Sequence, residues 1–85
     1  MAYALALEEF ERMKEDIYDE NFGIYVDTWD FEDNYSHNDI NAAREEFIRL
    51  ANGYFRVNMI DYEVREVCEN VYIFNKNTGE RLYKW

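Results

Sequence analysis

The chain has 85 residues, 48% of them hydrophobic and 19% aromatic, and nineteen Asp and Glu against nine Lys and Arg leave a formal net charge of −10. That length makes one domain over residues 1–85 with a modest core, and the aromatic content argues against disorder despite the charge. Nucleic acid and anionic membranes are themselves polyanions, so direct binding to either is disfavoured and a basic protein partner is favoured.

The start, Met1 to Leu7, is apolar but short, has no basic leader and runs at once into acids. It reads as neither a signal peptide nor a membrane span, which points to a cytoplasmic protein. A first helix is expected from about Tyr3 to Asp19. With about 100° per residue, Tyr3, Ala6, Leu7, Phe10, Met13, Ile17 and Tyr18 share its core arc. Glu8, Glu9, Glu11, Glu15, Asp16, Asp19 and Glu20 fill the opposite arc. Asn21-Phe22-Gly23 is expected to end this helix, with Gly23 at a left-handed C′ position. Ile24 to Trp29 alternates as a strand would. Phe31 to His37 is a polar, acidic connection.

A second helix is expected to begin at Asn38 or Asp39, either of which can cap it. Its buried stripe is Ile40, Ala43, Phe47, Leu50 and Ala51, and Asn52-Gly53 closes it. Tyr54 to Ile60 reads as a strand, and Asp61 to Asn70 as a short helix or turn. Val71 to Phe74 and Arg81 to Trp85 form a hairpin, with Gly79 in the left-handed position of its turn. The whole is an α+β domain, two helices packed on an antiparallel or mixed sheet that ends in a β-hairpin. Arg81 and Lys84 on the last strand discourage edge pairing, so a monomer is expected.

Motifs for chemistry are sparse. An EF-hand loop starting at Asp30 fails twice, because Tyr35 stands where Gly is needed and Asn41 where Glu is needed. His37 and Cys68 are the only His and Cys. Nothing places them together as a nucleophile pair, and Cys68 reads as a small buried residue. There is no zinc cluster, phosphate loop or nucleophile elbow. No metal, no cofactor and no enzymatic activity are expected. The last hairpin sets Lys76, Arg81 and Lys84 beside Tyr83 and Trp85, a pattern found in single-strand binders, but a hairpin with one packed and one solvated face accounts for it equally.

The distribution of charge is more informative. Residues 1–39 hold twelve acids and two bases, and residues 40–85 hold seven of each. The entire net charge therefore lies in the first half. Glu11–Glu15, Glu15–Asp19 and Asp16–Glu20 are like-charge pairs at i,i+4, each costing a helix about 0.2–0.5 kcal/mol. Asp19 and Glu20 also fall at a carboxyl end, where the dipole disfavours anions. As one straight helix, Glu8 to Glu20 carries one net charge per about 3.6 Å, close to the roughly 3.4 Å of a single phosphate strand. The expected partner-binding face is Glu8, Glu11, Glu15, Asp16, Asp19, Glu20, Asp27, Asp30, Glu32 and Asp33, with aromatic anchors among them.

In length, lone Cys, clustered carboxylates over Glu8–Asp39 and interspersed aromatics, the chain resembles the small acidic phage-encoded inhibitors of bacterial defence, the anti-CRISPR and anti-restriction proteins that act as DNA mimics. That resemblance implies a stoichiometric inhibitor, active in the host cytoplasm, that occupies the Lys/Arg-lined channel of a nuclease complex. The neutral second half makes any mimicry one-sided. The alternative is an interaction module, such as an antitoxin or regulatory subunit, that uses the same acids on a basic partner without mimicry. A structural protein with no mimicry is the third reading.

Overall fold

The computed structural model describes residues 2–28 and 40–85. Helices α1 (Ala2–Ile17), α2 (Glu20–Thr28) and α3 (Ile40–Asn58) precede strands β1 (Tyr62–Val67), β2 (Asn70–Asn75) and β3 (Arg81–Lys84). The strands form one antiparallel sheet in the order β1-β2-β3. The inward side chains Val64, Val71, Ile73 and Tyr83 are buried, and α1 and α3 pack on that face. The class is α+β, as expected. The expected connection at Phe31 to His37 and the cap at Asn38 or Asp39 lie outside the described residues, as does Trp29.

Most of the expected core arcs of the two main helices is buried, but Tyr18, just past the end of the first, and Ile40, at the start of the second, are exposed. Ala6, Phe10 and Met13 of α1 meet Ala43, Phe47, Leu50 and Ala51 of α3, with Leu7 and Ile17 half-buried at the margin. Phe10 and Phe47 stack at 4.8 Å between centroids. The chain path through the middle of the molecule differs from expectation in three places, each for a physical reason.

Ile24 to Thr28 is helical, not a strand. Alternation over so few residues fits either state, and what decides is Phe22. On α2 it points with Val26 into the core, its ring centroid 5.7 Å from Phe10, 4.9 Å from Tyr54 and 5.7 Å from Phe55. Gly23 is thereby an interior helix residue, packed so closely on the Lys14 side chain that an added Cβ would displace it.

Tyr54 to Asn58 is also helical, because α3 runs straight through Asn52-Gly53. An interior Gly costs a helix about 1 kcal/mol relative to Ala. Burying Tyr54 and Phe55 on the same stripe as Phe47, Leu50 and Ala51 contributes about 1.5–3 kcal/mol each, so the stripe prevails. Val57, in the stretch expected as a strand, is 73% exposed on the helix.

Asp61 to Asn70 holds β1 and a tight turn. β1 pairs with β2 from Tyr62↔Asn75 to Val67↔Asn70, leaving Cys68 and Glu69 as a two-residue loop with φ of 50° and 68°. Such turns favour Asn-Gly, because other side chains are strained at positive φ. Cys68 is exposed here, not buried as expected. The double variant Cys68→Asn/Glu69→Gly should stabilise the fold by about 1–2 kcal/mol by relieving left-handed strain. Urea unfolding would show it as a higher midpoint at unchanged slope; an unchanged midpoint would place no strain in the turn.

The second hairpin matches expectation. Asn75 Oδ1 accepts the backbone N–H groups of Asn77 at 2.9 Å and Thr78 at 3.2 Å. Gly79 takes φ 73°, and a paired bond between Val71 and Trp85 extends the ladder past β3.

Candidate partner-binding face

Of the ten carboxylates expected on the binding face, seven lie among the described residues; Asp30, Glu32 and Asp33 lie outside them. Glu8, Glu11, Glu15 and Asp16 are exposed along α1, and Glu20 and Asp27 are exposed on α2. No hydrogen bond or ion pair joins any of these six to another described residue. The seventh, Asp19, is half-buried and has a structural task.

Asp19 is the N-cap of α2. Its Oδ1 accepts the backbone N–H of Asn21 at 2.9 Å, and its Oδ2 accepts the Tyr54 hydroxyl at 2.6 Å. Burial, and then this carboxylate, hold the Tyr54 phenol well above its ordinary range. The break at Tyr18 changes two expectations. The pairs Glu15–Asp19 and Asp16–Glu20 do not share a helix, and the dipole term reverses sign. Asp19 and Glu20 open α2, where anions are favoured, instead of closing α1. The straight phosphate-like row is therefore bent at Tyr18.

Glu9 is corrected too. It was placed on the solvated arc, but it is 6% exposed and pairs with Arg12 at 3.1 Å. Burial raises its pKa, Arg12 offsets part of that, and Glu8 adds to it. A carboxyl whose folded pKa is raised supports the fold below its unfolded pKa, and that support is lost as pH rises through the folded value. Glu9→Gln should therefore raise the melting temperature near neutral pH, and the gain should vanish by about pH 3. A melting temperature lowered by the substitution at neutral pH would mean that the Arg12 pair outweighs burial.

Tyr18 was assigned to the core arc, yet it is 91% exposed, at φ 54°. It takes the left-handed position expected of Gly23, just past the end of α1. An exposed, strained aromatic invites a functional reading. Ile24, 61% exposed, stands across from it on α2. Both line an open groove of about 480 Å³ whose other walls include Lys14, Glu15, Asp19, Glu20 and Asp27. The arrangement is an apolar seat among four carboxylates and one ammonium, that of Lys14 against Gly23. It suits the stem and charge of an incoming Arg or Lys, which can stack on Tyr18 while reaching the acids. Sequence reasoning missed this seat because it ran α1 through Tyr18. The available signal was Asp19 as a cap, followed by Phe22 and Val26 at helical spacing.

Among the described residues, no three His, Cys, Asp or Glu side chains converge as a metal site. No described helix is long and apolar enough to cross a membrane. The chain matches no protein-family model, no curated protein and no solved structure.

Proposed function

We propose that the protein is a non-catalytic inhibitor whose α1–α2 face occupies the basic nucleic-acid-binding surface of another protein, in the manner of an anti-CRISPR or anti-restriction protein. The observation that supports this reading is the set of six exposed carboxylates on α1 and α2, none in an ion pair with a described residue and with Lys14 the one base lining the Tyr18–Ile24 groove among them. Surfaces selected for stability alone intersperse both signs. A Lys/Arg-lined channel supplies the complementary charges, and charge steering makes association fast and salt-sensitive. Mimicry of a straight strand is not required. Two short anionic helices meeting at an angle present charge to a channel from two sides.

The test is a charge reversal that spares Asp19. Glu8→Lys/Glu15→Lys/Glu20→Lys inverts the face and leaves the cap of α2 intact. Glu45→Lys/Glu66→Lys/Glu80→Lys is the matched control, since these three acids are exposed elsewhere. With the partner captured from a bacterial lysate and purified, the first variant should bind at least about ten-fold more weakly, chiefly through slower association. The control should bind like the parent, and the partner's own duplex DNA should compete. Equal loss from both variants would remove the role of the face. Binding alongside DNA with no loss of affinity would leave the interaction-module reading in place of inhibition by mimicry.

A further inference from the structure

The face of the sheet turned away from α1 and α3 is covered by no described element, and it differs in character from the rest of the surface. Tyr72 and Phe74 of β2 stand on it, two residues apart on one strand and so separated by about 6.6–6.8 Å. The residues directly opposite them across the ladders are Arg65 and Lys84 for Tyr72, and Glu63 and Arg81 for Phe74. The Arg81 guanidinium lies over the Tyr72 ring at 4.6 Å from its centroid, and that of Arg65 over the Phe74 ring at 5.0 Å. Glu63, the acid in this set, is held by Arg65 at 3.4 Å. Two shallow hollows, of about 210 and 300 Å³, meet at Tyr72 and Arg81 and continue across the sheet.

We infer that this outer sheet face binds single-stranded nucleic acid, with bases stacked on the Tyr72–Arg81 and Phe74–Arg65 layers and phosphates held by Arg65, Arg81 and Lys84. The flat π surfaces accept any base, since every base has a π-face, and cations at their margins lie where the backbone between two stacked bases must pass. Arg planes serve as stacking surfaces as rings do. A duplex cannot use the site, because its bases are already stacked on one another. An acidic polypeptide would satisfy the cations but leave the rings unused.

The aromatics singled out in the sequence, Tyr83 and Trp85, are not the ones involved. Tyr83 is buried, and Trp85 packs edge-on against Phe47 at 4.9 Å. The pleat turns Tyr72 and Phe74 outward instead. The whole-chain charge argument against nucleic acid weakens on this face itself, where Arg65, Arg81 and Lys84 stand against Glu63, although Asp61, Glu66, Glu69 and Glu80 are exposed elsewhere on the same strands and turns. The outward acids of α1 lie beyond the sheet by at least a helix diameter of about 10 Å, which exceeds the Debye length of about 8 Å at physiological salt.

The measurement uses the chain and an oligonucleotide alone, so its outcome is independent of the partner reading above. Fluorescence anisotropy of a labelled oligothymidine of about twelve nucleotides should show saturable binding with Kd on the order of 10–100 µM near physiological salt. Tyr72→Ala/Phe74→Ala should weaken it by about ten-fold or more. Arg81→Glu, at an exposed position, should weaken it as well, and keeps the test decisive if the aromatic pair is needed for folding. Glu8→Lys/Glu15→Lys should not weaken it. The inference is overturned by no saturable binding up to about a hundred-fold that concentration, by variants that bind as the parent does, or by polyglutamate of equal length displacing the oligonucleotide equally well.

Discussion

Asp19→Ala should destabilise the protein by about 2–4 kcal/mol, of which roughly 1 kcal/mol is the lost cap of α2 and the remainder the lost bond to Tyr54. The two losses fall on one side chain because Asp19 uses both oxygens, one for Asn21 and one for Tyr54. Tyr54 is 4% exposed, so its hydroxyl would be left without its partner at a buried position. In a domain of this size each kcal/mol moves the melting temperature by about 4–8 °C, so a fall of at least roughly 10 °C is expected. Asp19→Asn, which keeps one acceptor oxygen for the cap and turns an amide donor toward the Tyr54 hydroxyl oxygen, should cost clearly less. A melting temperature for Asp19→Ala within about 2 °C of the parent would mean that α2 is held by Phe22 and Val26 alone. The result also bears on the partner face. Any charge reversal that includes Asp19 confounds lost binding with lost folding.

Asn52→Asp should cost about 2–4 kcal/mol near neutral pH, through a different mechanism. The Asn52 amide Nδ2 donates to the Val64 carbonyl at 3.1 Å, and Oδ1 accepts the Val64 N–H at 2.9 Å. In effect, a side chain of α3 pairs with the edge strand β1 as a neighbouring strand would. Val64 is 2% exposed, so water does not readily replace that partner. A carboxylate can still accept from the N–H but sets negative charge against the carbonyl, leaving an acceptor facing an acceptor. The introduced carboxyl would have a raised folded pKa, so stability should be recovered below the ordinary Asp value of about 4 and lost as pH rises through the folded value. The check is the difference in unfolding free energy from the parent at about pH 3 and pH 7. An equal difference at both, or none, would deny Asn52 its bridging role.

These two residues show where a sequence is hard to read. Asp19 and Asn52 both sit at positions that local pattern treats as ends: one at the close of a long acidic helix, the other in an Asn-Gly pair. In the folded chain both are junctions. Asp19 starts a new helix and ties it to α3, and Asn52 ties the middle of α3 to β1.

What the sequence determined by itself was whatever depends on nearest neighbours along the chain. The stripes of α1 and of the first half of α3 follow from helical spacing. The last hairpin follows from Asn75 to Gly79, where a positive φ of 73° falls on the one residue without a Cβ. The acidic first half follows from counting, and six of its carboxylates are exposed on the two helices that carry them. Tertiary structure decided the rest, because the deciding energies come from partners far along the chain. Phe22 is helical because it meets Tyr54 and Phe55. α3 passes Gly53 because burying Tyr54 and Phe55 outweighs one glycine. Cys68 and Glu69 accept left-handed backbone because the pairing of β1 with β2 holds them there. Tyr18 is outside because α1 ends one residue before it, and Glu9 is inside because it stands three residues from Ala6 and four from Met13, at the edge of the face that packs on α3. The outward aromatics of the sheet were set by the pleat, which assigns alternate residues to opposite faces once the register is chosen, and only the folded chain chooses it.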